Sequence, residues 1–207
     1  MNSVGIIGAG KLGTAVAKAA LEAGFDVKLT SRDLEATRLI AEVMAPGAQV
    51  GTLRDAAQAD LIVLALPLLR VRDLPRDAFD GKPVVDAINW WEPVDGGIER
   101  FGVGAAQTSR LVREQFPGAR VVKALNQLGY HDIEDGRRSA GAPDRLGVAV
   151  AGDDAEAVNA VMAFVDRLGF DPVPAGTLEE GQNLGPGGPA FGLTMGAKEL
   201  RLALGLP

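Results

Sequence analysis

Short apolar runs alternate with amphipathic stretches along most of the chain. Ser3–Gly8 (SVGIIG) is apolar and β-branched and predicts a strand. It runs through glycines into Lys11–Gly24 (KLGTAVAKAALEAG), an Ala-rich helix that should stop at Gly24. Phe25–Thr30 predicts a second strand. The stretch that follows predicts a helix capped by Ser31 or Asp33 and halted near Pro46, which cannot continue it. A short strand at Ala48–Val50 precedes TLRDAAQA. Asp60–Pro67 (DLIVLALP) is then almost continuously apolar, as in a central parallel strand buried on both faces.

Three later runs, Lys82–Ile88, Ala119–Leu125 and Gly147–Gly152, share that character, and DDAEAVNAVMAFVDRLG after the last is an amphipathic helix. Alternating strands and helices predict an α/β fold with a doubly wound parallel sheet. From Phe170 the pattern changes to Gly- and Pro-rich sequence followed by a terminal helix in LTMGAKELRLAL. The expected organisation is one domain over residues 1–170 and a small C-terminal lobe over 171–207 that completes a substrate cleft.

Composition narrows the function. At 207 residues, with 47% hydrophobic and 23% charged, the chain can bury one principal core and a modest appendage. A net charge of −6 leaves no cationic excess for displacing phosphate counterions, so a nucleic-acid partner is not expected. With no cysteine and one histidine there are no thiolate sites and no multi-histidine metal cage. No apolar run approaches the ~20 residues of a membrane span, and no leader-type segment opens the sequence; a cytoplasmic protein without a membrane partner is expected.

The chemistry starts at Gly8-Ala9-Gly10-Lys11-Leu12-Gly13, a GxGxxG between a predicted strand and a predicted helix. Gly8 permits the tight turn, Gly10 lets backbone approach a pyrophosphate, and Gly13 lets helix pack closely on strand, while the helix N-terminus offers N–H groups to the phosphates. This is the Rossmann fingerprint of a dinucleotide site. The end of the second strand distinguishes the cofactor. An NAD enzyme places a carboxylate there for the ribose 2′-hydroxyl, whereas this chain has Thr30-Ser31-Arg32, two hydroxyls and a guanidinium that suit a 2′-phosphate. NADP(H) is the expected cofactor. Arg38 is a second cation within reach along the helix; alternatively Ser31 is a cap, Arg32 a solvated residue and Asp33 the ribose ligand.

Leu66 and Pro67 close the fourth strand at the carboxyl edge of the sheet, where ligands of open α/β sheets bind. Asn89-Trp90-Trp91 after the fifth strand and Asn126-Gln127-Leu128-Gly129-Tyr130-His131 after the sixth fall on the same edge. Their amides and rings could face a nicotinamide and a second ligand, or serve as packing anchors and helix caps. His131 is the one side chain that titrates near neutral pH, and so the one candidate for catalytic proton transfer.

Taken together, GIIGAGKLG, LTSRD, LIVLALP, VVDAINWW, ARVVKALNQLGYHD and PAFG resemble the NADP oxidoreductases that depend on the deazaflavin coenzyme F420, from Val4 to about Leu200. The resemblance implies an N-terminal Rossmann domain that holds NADP, and a deazaflavin or similar flavin lying against the nicotinamide so that hydride crosses between rings. It assigns the pyrophosphate to Ala9, Gly10, Lys11 and Leu12, the 2′-phosphate to Ser31 and Arg32, and the nicotinamide surroundings to Pro67 and the loop after Leu125. Together with apolar Leu200 and Leu204 it implies a homodimer. Two positions depart from the pattern: Ala36 stands where a basic residue is usual, and Asn126 where some members have histidine.

The N-terminal domain also resembles the cytoplasmic part of membrane metalloreductases and, more distantly, pyrroline-carboxylate and imine reductases. Two further functions therefore stay open. One is an NADPH-dependent reductase of a small carbonyl, imine or quinone, with His131 or Tyr130 giving the proton. The other is a non-catalytic NADP(H) sensor.

Overall fold

Eight strands join in one sheet in the computed structural model, which describes all 207 residues. They are β1 (Ser3–Ile7), β2 (Asp26–Thr30), β3 (Gln49–Val50), β4 (Leu61–Leu64), β5 (Pro83–Asp86), β6 (Arg120–Lys123), β7 (Gly147–Gly152) and β8 (Asp171–Pro174), in the spatial order β3-β2-β1-β4-β5-β6-β7-β8. The strands β1 to β6 are mutually parallel. Their order reverses between β1 and β4, which creates the switch point where α/β sheets open a crevice.

The helices are α1 (Lys11–Glu22), α2 (Leu34–Met44), α3 (Leu53–Ala57), α4 (Glu92–Asp95), α5 (Thr108–Gln115), α6 (Tyr130–Asp135), α7 (Ala155–Leu168) and α8 (Ala197–Ala203). Local chemistry sets several of their ends. The Asp33 carboxylate accepts from the Ala36 N–H to start α2, Asp154 does the same for α7 through Ala157, and Thr52 with Asp55 forms a reciprocal capping box for α3.

Strand side chains alternate between two cores. Leu61 and Val63 of β4 join the layer of α1, α6 and α7, where Phe25 meets Phe164 edge to face, and Ile62 and Leu64 join that of α3 and α5, where Phe79 meets Phe116. Burial on both faces explains why β4 reads as an unbroken apolar run.

The sheet departs from the expected all-parallel arrangement at its far side, since β7 pairs antiparallel to β6. After β6 the chain makes only the six-residue α6, about 9 Å of helix, too short to carry it back across the sheet. It therefore enters β7 from the carboxyl edge. The 14-residue α7 then provides a full crossover, and β8 pairs parallel to β7.

The segment expected as a small C-terminal lobe thus begins with a strand of the sheet itself. Its strand was hidden because Pro172 and Pro174 lack ladder donors, which only an edge strand tolerates: the neighbouring Asp171 and Ala175 N–H groups donate to Leu146 O, just before β7, and to Val150 O within it. The remainder of 171–207 packs on β7 and β8 around Leu184, Ala190 and Leu200. Leu200 is fully buried there, and Leu204 packs, partly buried, against the same cluster.

The parallel register at the switch point is clamped at its start by Asp60. Its carboxylate accepts from the backbone N–H of Asn2 (2.7 Å) and Ser3 (3.1 Å), and its own N–H donates to Ser3 Oγ (3.0 Å). Those backbone donors, Asn2 first, hold its carboxyl below the ordinary 3.8. A depressed folded-state value means stabilisation that is present above 3.8 and lost as pH falls below it. Asp60→Asn should therefore lower stability at neutral pH by about 1 kcal/mol or less, since the site is solvent-screened. Urea unfolding should show the gap from the parent protein closing below pH 3.8.

Candidate functional site

The glycine turn after β1 is where three backbone segments meet. Gly8 has φ of +120°, and its N–H donates to Thr30 O at 2.8 Å, tying the exits of β1 and β2. A Cβ on Gly8 would lie 2.1 Å from Ala65 O, and one on Gly13 would lie 1.9 Å from Gly8 O. Both positions exclude any side chain. Gly10 is different: its φ is −80°, and a Cβ there would have no neighbour within 4 Å. The fold does not require glycine at position 10, so the open space above it is left for a ligand to approach the backbone. Gly10 is also the N-cap of α1 and offers no side-chain oxygen, which leaves the first-turn N–H groups of a 12-residue helix without a side-chain acceptor.

A cavity of about 600 Å³ lies over the carboxyl ends of β1, β2 and β4. The sequence-predicted Gly8, Ala9, Gly10, Thr30, Ser31, Arg32, Leu66 and Pro67 all line it. Lys11, Leu12 and Gly13 form the adjoining first turn of α1. Ser31 Oγ lies 2.7 Å from Thr37 Oγ1 and donates to Asp33 O, while one oxygen of the Asp33 carboxylate is engaged by the α2 cap. Arg32 is exposed and makes no hydrogen bond or ion pair, so its guanidinium is available to an anion.

Two features of this cavity differ from the sequence reading. Arg38 lines a separate, shallower depression beside Glu42 and Gly47, because a helical position one residue past the cavity-lining Thr37 turns about 100° away. Arg70 and Asp73 do line the cavity, from the 3-10 helix Leu68–Asp73 that follows Pro67. Their only sequence signal was nearness to the end of β4. Ile40, Leu53 and Leu74 add apolar lining suited to the flat face of a base, alongside the polar Asp33, Thr37 and Thr52.

Asn89 and Asn126 are brought together, although neither lines this cavity. Asn89 Nδ2 donates to Asn126 O (2.7 Å), and Asn126 Nδ2 donates to Asn89 Oδ1 (3.1 Å) and Leu184 O (2.7 Å). Asn126 is buried with its Oδ1 unpartnered, and helix α6 is capped by Gly129 instead. The preceding Leu125 is the one non-glycine residue with positive φ, +65°. That turn also aims Gln127 inward, where its Oε1 accepts from the Ala149 N–H of β7 at 2.8 Å.

Beneath the paired asparagines lies a buried ion pair that the sequence did not disclose. Lys123 and Asp86 are register partners on β6 and β5, with Nζ 3.2 Å from Oδ2. Lys123 also donates to Ile88 O, and Ser109 Oγ donates to Asp86 Oδ2 at 2.6 Å. Burial pushes the Lys123 ammonium below the usual lysine range, and Asp86 opposes that shift. The pair fixes the exits of β5 and β6 just before Asn89 and Asn126. Trp90 is an anchor as well, donating from Nε1 to Gly96 O, whereas Trp91 is exposed.

His131 does not face the cavity. Its side chain is 70% exposed on α6, 3.9 Å from Glu134, and its ring lies against Tyr130. Tyr130 reaches the glycine turn itself, where Lys11 Nζ donates to its hydroxyl at 3.2 Å.

A parallel sheet with a glycine turn at its switch point and an uncapped helix over it defines a dinucleotide-binding Rossmann domain. Residues 3–90, from β1 to just beyond β5, match the family described as NADP oxidoreductase, coenzyme F420-dependent. The Escherichia coli (strain K12) protein YjhV is 39% identical over 59 residues, 28% of this chain and 43% of its own length. This chain therefore spans under half of that relative. Hypothetical protein SMa0349 from Sinorhizobium meliloti is 27% identical and superposes over 94% of this chain and 95% of its own, with a TM-score of 0.82. A proposed F420-dependent NADP reductase from Arthrobacter sp. FB24 shares the fold at 24% identity, covering 89% of this chain and 90% of its own with a TM-score of 0.70. No helix is long and apolar enough to cross a membrane.

Gly10 and Gly13 should separate on substitution. Gly10→Ala should leave the melting temperature within about 2 °C of the parent but weaken dinucleotide binding on the order of tenfold. Gly13→Ala should itself destabilise by about 1–3 kcal/mol through the backbone clash. Thermal melts and fluorescence titration of the two variants check both outcomes.

Proposed function

We propose that this protein is an NADP(H)-dependent oxidoreductase that passes a hydride between NADP(H) and a small redox partner of deazaflavin (F420) or flavin type. The observation that carries the cofactor is the end of β2, where Ser31 and an unpaired Arg32 line the cavity and the neighbouring carboxylate, Asp33, has its Oδ1 committed to the Ala36 N–H at the start of α2. The cavity fits a dinucleotide on its own chemistry, with open space at Gly10, N–H groups at the start of α1, and an apolar wall for the adenine.

When bound, the reduced nicotinamide supplies the hydride. The protein binds, orients and excludes water, work that can contribute ~7–11 kcal/mol to lowering a barrier through proximity alone. Arg32 and Ser31 hold the adenosine end, and the turn at Gly8–Gly10 holds the pyrophosphate. The hydride crosses directly between the rings and the acceptor's ring nitrogen takes its proton from solvent, so no side-chain acid is required, in keeping with the outward position of His131. The family matched by residues 3–90 supports the acceptor class.

A second reading, reduction of a small carbonyl or imine, is favoured by one feature: the Tyr130 hydroxyl sits at the glycine turn with Lys11 donating to it, a hydroxyl that could give up a proton. Anaerobic oxidation of NADPH by F420 or flavin mononucleotide, unchanged in Tyr130→Phe, supports the first reading. NADPH binding without turnover by either acceptor would sink it. Arg32→Ala should raise the dissociation constant for NADPH about 10- to 100-fold, as expected for a charge-assisted contact, and leave that for NADH within about twofold.

A further inference from the structure

The α2 residues that line the cavity, Leu34, Ala36, Thr37 and Ile40, carry no charge, and the helix N-cap that also lines it, Asp33, is an anion. Arg38, the cation available on α2, opens onto a different depression. From the β2–α2 side the cavity thus meets a dianionic 2′-phosphate with one guanidinium, that of Arg32. A second guanidinium, that of Arg70 on the 3-10 helix after β4, lines the same cavity. Resting on the NADP(H) reading above, we infer that Arg70 is the second cation of the 2′-phosphate subsite, and that Asp73 tunes it by competing with the phosphate for the same guanidinium.

The element carrying Arg70 is held at both ends and beneath. Leu68 and Val71 are fully buried under the 3-10 helix Leu68–Asp73. The Leu69 N–H donates to Asp95 Oδ1 at 3.0 Å, and Gln115 Nε2 donates to Leu74 O at 2.7 Å. Arg70 therefore projects from a fixed backbone, on a wall packed independently of α2. Its one ion pair is with Asp73, three residues on, at 3.2 Å, with the two side chains 37% and 52% exposed. An exposed pair of this kind contributes little and is easily exchanged. A phosphate offers the same guanidinium more charge and a bidentate geometry, so it displaces the carboxylate when the cofactor enters.

This arrangement differs from a guanidinium stacked on the adenine face, which would serve NADPH and NADH alike. It predicts discrimination. Dissociation constants for NADPH and NADH are measured by fluorescence titration on the parent chain and on Arg32→Ala, Arg70→Ala, Arg70→Gln and Asp73→Asn, with circular dichroism confirming that each folds. Arg70→Ala and Arg70→Gln should weaken NADPH about tenfold and leave NADH within about twofold. Asp73→Asn should tighten NADPH several-fold, leave NADH unchanged, and steepen the salt dependence of NADPH binding.

Equal losses for both dinucleotides in the Arg70 variants, or no loss for either, overturn the inference and leave the NADP(H) reading intact, provided the parent prefers NADPH and Arg32→Ala removes that preference. A parent that binds NADH as tightly as NADPH overturns both.

Discussion

The site depends first on how closely the first turn of α1 can approach the exits of β1 and β4. At Gly8 and Gly13 the packing is backbone against backbone, with carbonyl oxygens 2.1 and 1.9 Å from where a Cβ would stand. Only because both side chains are absent does the N-terminus of α1 settle over the switch point, with its free N–H groups at the rim of the cavity. Gly5 does the same on the opposite face of the sheet, where a Cβ would be 2.1 Å from Ala56 O of α3. The first strand is thus pressed from both sides, and the glycines fix the height of the helices more than their existence. Adding a methyl at either contact lifts a helix from the sheet, and the anion-binding geometry is lost with it.

The charges of the molecule fall into two groups with opposite roles. Lys123 and Asp86 are buried, and each is supported by further hydrogen bonds, from Ser109 and the Ile88 N–H to the carboxylate and from the ammonium to Ile88 O. A buried charge without such partners would be strongly destabilising, so this pair belongs to the fold and sets the strand exits that carry Asn89 and Asn126. Arg32 is exposed and unpaired at a cavity wall, where solvation makes its isolation cheap and an incoming phosphate can claim it. Arg70 stands between the two, loosely engaged by Asp73.

Much of the first half of the chain was legible because its signals are local. The GxGxxG, the apolar runs of β1, β2 and β4, and the Thr30-Ser31-Arg32 triplet act within a few residues of themselves, and each occupies the place its pattern implied. The second half was less legible. Edge strand β8 was masked by its prolines, α5 by its low hydrophobicity, and the antiparallel entry of β7 by the fact that direction depends on the length of a connection.

By itself, then, the sequence determined the class of fold, the glycine turn and the chemistry at the end of β2, because periodicity, backbone freedom at glycine and the charge of a side chain are properties of short segments. Tertiary structure alone decided which remote residues meet: Asn89 with Asn126, Lys123 with Asp86, Lys11 with Tyr130, and Arg70 with the cavity that Arg32 lines. Those encounters follow from strand order and from which way a helical residue faces. That is also why Arg38, close to the site in sequence, faces away from it, while Arg70, 38 residues beyond Arg32, faces in.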